Sequence, residues 1–361
     1  MERRTFLRVM LGISGAALLA GCTNNPPTGN GTTQTTTPAD TNIPSDGSKK
    51  LKAVAVLDTG GVDDKSFNAA AWAGMQRAEK ELGVEIKYVE SKDPSEYKDK
   101  ISSFASQGYD VVFAVGYLME DALGEVAPQF PNVKFAIIDA NAPKSDNCAG
   151  IKFKEEQGSF LVGYLAGAMS KTHILGFVGG QEIDLIKKFE AGYRAGALTA
   201  NPKTQIKVAY TGDWNDLQKG KSQAEQLFGN GADVIFHGAG KAGLGVIRAA
   251  EDKGKGFYAI GCDSNQDGEA KGRVLTSMIK RVDNAVFNTI KAVKEGRFQA
   301  GDQVYDLKQE GIGISDLQYT KQDIPAPVLA NLEKLKKMII DGQIIVPTTL
   351  AEAEKFQPPK L

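Results

Sequence analysis

The sequence predicts an α/β chain folded as two doubly wound parallel-sheet lobes. Three observations carry this reading. The 361 residues exceed what one hydrophobic core usually fills. From Lys52 onward, short β-branched runs alternate with longer amphipathic segments, the pattern of a parallel sheet with crossover helices. After "CAGIKFK" the alternation restarts, so two similar open sheets follow one another.

Taken in order, "KAVAVL", "EIKYVE", "DVVFAV" and "KFAIID" read as strands, with "DKSFNAAAWAGMQRAEKEL", "PSEYKDKISSFASQG" and "MEDALGEVAPQF" as the helices between them. The second series runs helix "EEQGSFLVGYLAGAMSK", strand "ILGFVGG", helix "EIDLIKKFEAGYRAGALTA", strand "QIKVAYTG", helix "DLQKGKSQAEQLFGN", strand "DVIFHGAG", helix "AGLGVIRAAEDKG" and strand "FYAIGCD". Strand "RVLTSMIK" and helix "VDNAVFNTIKAVKEG" follow, then a Gly-rich strand region and a last helix near "PAPVLANLEKLKKMIID". These late elements leave the periodic order, as expected of a chain that crosses back between lobes.

The N-terminus carries a different message. "MERRTFLRVMLGISGAALLAGC" has a charged start and an apolar segment, Val9 to Ala20, too short to span a bilayer. It reads as an export signal, either of the general type or of the twin-arginine type, with Glu2 where the latter usually has Ser or Thr. "LAGC" resembles a lipobox, which makes Cys22 the lipidated residue and the new N-terminus. Residues 23–50, rich in Asn, Pro, Thr, Gly and Ser, cannot bury surface and serve as a flexible tether.

Composition excludes several classes. Hydrophobic content of 42% and charged content of 24% describe an ordinary soluble chain. With 43 basic against 44 acidic residues and no Lys/Arg run, nothing draws in nucleic acid. Cys148 and Cys262 do not make a disulfide framework, and nothing local favours their pairing. His173 and His237 stand apart from any Cys or second His, which leaves zinc sites and His-based triads unsupported. No cofactor or metal is expected.

Ligands of open α/β sheets sit beyond the carboxyl ends of the strands. Those positions hold Asp58, Gly116, Asp139, Gly179, Gly180, Gly212, Asp213, Trp214, Gly238, Gly240, Asp263 and Lys280. The first of these ends, "VAVLDTGGVDDKSFN", admits an enzymatic reading as the calcium loop of a nucleoside hydrolase. Here, however, Gly60 replaces the third-position acid and the spacing is one residue short. Asp63, Asp64 and Ser66 also suit a helix cap. Phe67 fits a buried stripe with Ala71, Gly74, Met75, Ala78 and Leu82, yet it also lies at a strand-end mouth where its ring could meet a flat ligand. Trp214 has the same placement in the second lobe, so the two could sandwich a planar ring. Asp263 with Lys280 reads either as a clamp for a vicinal diol or as an ion pair near the hinge. Asp58, Asp121 and Asp139 could accept from ring N–H groups, with Asp121 alternatively a helix-cap acid.

Together "DTGGVDDKSFN", "GYLMEDAL", "FKEEQGSFLVGYLAG", "GFVGG", "FEAGYRAG", "GDWND", "KGKSQAEQLFGNGADVIF", "DSNQDG" and "VLTSMIKRVD" resemble the basic membrane protein family of ABC-transporter substrate-binding lipoproteins over roughly residues 51–310. The resemblance implies a type I periplasmic-binding fold with three crossovers. The first lobe would take residues 51–150 plus about 281–312, the second about 151–280, with 313–361 a tail packing back on the lobes. It also implies a receptor without catalytic activity, anchored to the membrane by lipid, that hands a nucleoside, purine in the best understood members, to an ABC permease and its ATPase. Matched by motif, Phe67 and Trp214 correspond to base-stacking aromatics. Asp58, with Asn68 beside Phe67, and an acid at Asp121 or Asp139 correspond to base recognition; Gly240, Asp263 and Lys280 correspond to ribose contacts, with Gly116 at the neighbouring strand end. Trp214 stands where Phe is commoner, and Lys241 replaces the second Gly of "AGGTG". Riboflavin is another ligand known in the family.

Overall fold

The computed structural model describes residues 50–360. The export signal, Cys22 and all but the last residue of the tether lie outside the described residues. The first half runs β1 (Lys52–Leu57), α1 (Phe67–Leu82), β2 (Glu85–Glu90), α2 (Tyr97–Ser106), β3 (Val111–Val115), α3 (Glu120–Val126), β4 (Lys134–Ile138) and β5 (Cys148–Phe153). The second runs α4 (Glu155–Met169), β6 (Ile174–Gly179), α5 (Asp184–Ala200), β7 (Gln205–Tyr210), α6 (Leu217–Gly229), β8 (Val234–Gly238), α7 (Gly243–Lys253), β9 (Tyr258–Asp263) and β10 (Val274–Lys280). The chain ends with α8 (Val282–Lys294), β11 (Gly301–Tyr305), β12 (Ile312–Ile314), α9 (Ala326–Ile340) and α10 (Leu350–Glu354).

The strands form two sheets, ordered β11-β5-β4-β3-β1-β2 and β12-β10-β9-β8-β6-β7. Every pairing is parallel except β12 against β10. Central strands such as β1 and β3 are buried on both faces, which is why they read as continuous β-branched and apolar runs. Edge strand β2 is largely exposed and correspondingly polar. The chain crosses between sheets three times: from β5 into α4, from β10 into α8, which packs on α1, and from β11 into β12. This is the type I periplasmic-binding architecture.

Helix α4 is apolar all round because it is enclosed by α5, β10, β12 and α9. Its approach to α5 tolerates no side chain at two points. A Cβ on Gly163 would lie 2.2 Å from the Tyr193 carbonyl oxygen, and one on Gly196 would lie 1.9 Å from that of Phe160. Among the described residues, no helix is long and apolar enough to cross a membrane.

Candidate functional site

The carboxyl ends of the two sheets face each other, and a cavity lined by both lobes lies between them. Asp58, Phe67, Asn68, Gly116, Tyr117 and Asp139 come from the first; Phe189, Trp214, Gly240, Asp263 and Lys280 are among those from the second.

Local structure aims each group. Asp64, not Ser66, caps α1: its carboxylate accepts from the backbone N–H groups of Ser66, Asn68 and Ala69 at 2.9, 2.7 and 2.9 Å. This fixes the first turn and turns Phe67 and Asn68 toward the cavity. Asn68 Nδ2 donates to Asp58 Oδ1 at 2.7 Å, and Gly60 N–H donates to the same oxygen at 2.9 Å. The Asp58 carboxylate lies against Gly116, whose φ of 123° only glycine adopts readily and where a Cβ would stand 3.0 Å from Asp58 Oδ2. In the second lobe, the Trp214 ring lies on the backbone of Gly180, where a Cβ would meet the ring at 2.1 Å.

Lys280 organises the floor. It is 3% exposed, and its Nζ donates to Asp139 Oδ2 at 2.6 Å, with Asp263 Oδ1 at 3.7 Å and Glu155 Oε1 at 3.8 Å. Its ammonium is also 4.8 Å from the Phe67 ring centroid. Burial works to lower the lysine pKa, but the carboxylates of Asp139, Asp263 and Glu155 outweigh it and hold the group charged, well above its ordinary value. Burial pushes Asp139 up to about 6 despite that partner, and pushes Asp64 up to about 7 despite its three backbone donors. Asp58 is raised as well, again by burial against the bonds from Asn68 and Gly60.

Among the described residues, several polar atoms of the lining are buried without a hydrogen-bond partner: Asn68 Oδ1, Asp139 Oδ1, Asp263 Oδ1 and Trp214 Nε1. Buried groups of this kind are expensive unless paired, so the cavity suits a ligand rich in N–H and O–H donors and bearing an acceptor for the indole. Among the described residues, no group of three His, Cys, Asp or Glu is placed to hold a metal ion. The acids of the first loop divide their roles instead: Asp58 faces the cavity, Asp64 caps the helix and Asp63 is exposed.

The structure brings nine of the sequence-predicted site residues to one cavity: Asp58, Phe67, Asn68, Gly116, Asp139, Trp214, Gly240, Asp263 and Lys280. Asp121 is a correction. It is exposed in the first turn of α3 and outside the lining, because a short 3₁₀ turn at Tyr117–Met119 intervenes after β3 and puts Tyr117 at the cavity. The Asp263–Lys280 pair is also altered, since the lysine makes its close contact with Asp139 of the other lobe. Cys148 and Cys262 are both free and buried.

Residues 51–349 match the family described as ABC transporter substrate-binding protein, PnrA-like. The chain belongs to this family. Among PnrA-like relatives, the CD4+ T-cell-stimulating antigen of Listeria monocytogenes is 38% identical over 320 residues, covering 83% of this chain and 89% of that protein. The ABC transporter nucleoside-binding protein BmpA of Lactococcus lactis is 31% identical over 368 residues, covering 96% and 100%. Among solved structures, an ABC transporter solute-binding protein of Aeropyrum pernix K1 superposes with a TM-score of 0.78 at 28% identity, covering 84% of this chain and 96% of that one. This PnrA-like chain is therefore an ABC-transporter substrate-binding protein.

Among the lining residues of this PnrA-like site that sequence reasoning did not single out are Tyr117, Leu185, Ile186 and Phe189. The last three lie on the first turns of α5, which follows the β6 tip as α1 follows β1. The rule that singled out Phe67 would have found them.

Proposed function

We propose that the protein is an exported receptor, held at the membrane by a lipid on Cys22, that captures a purine nucleoside between its lobes and delivers it to an ABC permease and its ATPase. The observation that carries this is the joint presence, in one interlobe cavity, of an aromatic side chain from each lobe and of buried, unpartnered carboxylate oxygens. A heterocycle fits between Phe67 and Trp214, while Asp58 and Asn68 meet the ring edge and Asp139, Asp263 and Lys280 meet the sugar hydroxyls. The name of the Lactococcus relative supports the ligand class. No bond is made or broken; capture proceeds by lobe closure.

A thermal-shift panel of nucleosides, free bases, riboflavin and sugars tests the reading, because a ligand that binds only the folded chain raises the midpoint by mass action. Purine nucleosides should give the largest shift. A larger shift with riboflavin or a sugar would overturn the assignment. Overnight incubation with inosine should leave it intact on chromatography; release of free base would make the protein a hydrolase.

A further inference from the structure

Asp139 follows β4 and Asp263 ends β9, the equivalent strands of the two sheets. Both adopt left-handed backbone, with φ of 68° and 65°, which a non-glycine residue keeps only where its surroundings demand it. Each gives one oxygen to a donor from the opposite lobe. Asp139 Oδ2 accepts from Lys280 at 2.6 Å, and Asp263 Oδ2 accepts from Ser66 Oγ, also at 2.6 Å. The other oxygen of each, Oδ1, is buried without a hydrogen-bond partner.

Ser66 belongs to a second set of bonds across the same boundary. Ser264 Oγ donates to the Ser66 carbonyl at 2.9 Å, and Gln266 Nε2 donates to the carbonyl of Lys65 at 3.0 Å. Lys65 is itself left-handed, with φ of 54°. Three further contacts hold Gln266 rigid. Its Oε1 accepts from Cys262 N–H at 2.9 Å and faces His237 Nε2 at 2.9 Å, and its own N–H donates to Ser277 Oγ at 3.0 Å. Ser66, Ser264 and Gln266 do not line the ligand cavity.

We propose that Ser66, Ser264 and Gln266 are positioning residues forming an interlobe latch that favours this closed arrangement of the lobes and sets how long a ligand stays. The latch grips one oxygen of Asp263 from the far lobe, as Lys280 grips one oxygen of Asp139, and so leaves one acceptor per lobe for the ligand. Asp263 therefore offers a ligand Oδ1 alone, not both oxygens of a diol clamp. The inference goes beyond the nucleoside assignment, because the latch joins lobe to lobe and acts on whatever ligand the cavity holds.

The test has a ligand-free and a liganded arm. Without ligand, small-angle X-ray scattering read against the curve calculated from this structure should give Ser66→Ala and Gln266→Met larger dimensions than the wild type. Ser264→Ala, at a partly exposed position, provides a milder variant that should fold normally and shift the same way by less. With inosine as probe, dissociation should accelerate on the order of tenfold in Ser66→Ala, the loss of one hydrogen bond to a charged group, with association unchanged. The double variant Ser66→Ala/Gln266→Met should lose little more than either single one, since both open the same latch. Loss of thermal stability with scattering identical to the wild type would assign these residues a merely structural role and overturn the proposal. If inosine fails to bind the wild type, the nucleoside reading falls while the scattering arm still decides the latch.

Discussion

Gly180 makes a severe test of the aromatic wall because it does not line the cavity itself. It sits behind Trp214, and a methyl group added there would stand 2.1 Å from the indole. Ordinary contact begins near 3.4 Å, so in Gly180→Ala the ring must retreat by about 1.3 Å, the difference between those two distances. Trp214 borders the ligand cavity on one side and a second cleft beside Gly212 and Asn215 on the other, and movement either way takes the ring from its place in the wall. An aromatic wall displaced by more than an ångström loses most of its stacking, worth about 1–3 kcal/mol, or roughly 5- to 150-fold in affinity. Gly180 lacks a positive φ, so no backbone strain confuses the outcome. Calorimetric titration with inosine would measure the loss. In a Trp214→Ala background the added methyl no longer meets the indole, and Gly180→Ala should then cost almost no further affinity. Undiminished binding by Gly180→Ala alone, with the protein folded, would refute the placement of Trp214 against the ligand.

Phe67→Leu keeps an apolar side chain in the core stripe but removes the ring face, so inosine affinity should fall about 5- to 10-fold while the melting temperature holds. Lys280→Met strands Asp139, Asp263 and Glu155 without their shared cation, and urea unfolding should show a loss of about 3–5 kcal/mol. Burial holds the Asp139 carboxyl up at about 6, and ligand donors favour its ionised form; nucleoside affinity should therefore fall as pH drops below 6, and Asp139→Asn should flatten that profile. Burial lowers His237 from 6.5 to about 4, so the unfolded chain takes up that proton first. Stability from this group is complete above pH 6.5 and declines as pH falls toward 4, by about 3 kcal/mol relative to His237→Gln in matched denaturation curves.

The sheets are legible in the sequence because interior strands of parallel sheets are buried on both faces, and "KAVAVL", "EIKYVE" and "ILGFVG" carry that burial or its absence in every residue. Strands β11 and β12 read only as a Gly-rich region. They are short edge strands, half exposed, whose pairing is fixed by distant partners at Ala149–Phe153 and Met278–Lys280. The short helix Leu350–Glu354 escapes a reading by periodicity, although its Thr349 and Glu352 form a capping box. In the site, strand ends locate seven of the nine residues because connectivity alone places such positions at one end of a sheet, and Phe67 and Asn68 come from the helix that opens just after the first. Asp121 misleads for want of three residues of 3₁₀ turn, which no periodicity reveals. Ser66 reads as a helix cap, and its side chain instead bonds Asp263, 197 residues away. Only the closed tertiary arrangement shows that contact.

The charge arrangement of the cavity bears on what it admits. Asp58, Asp64, Asp139 and Asp263 line it against the single cation Lys280. That cation is already matched by Asp139 at 2.6 Å, and a ligand phosphate would enter a region with no uncommitted positive charge in its lining among the described residues. A neutral ligand faces the opposite balance. Each hydroxyl or ring N–H it brings can satisfy a carboxylate oxygen that is buried without a hydrogen-bond partner among the described residues, and a bond to an ionised acceptor is worth about twice a neutral one. An analogue lacking one of those donors leaves its oxygen stranded, which is the condition under which a polar site discriminates most steeply. The carboxylates that first suggest a metal or a catalytic dyad thus serve selection: they make closure costly around an anion and favourable around a donor-rich heterocycle.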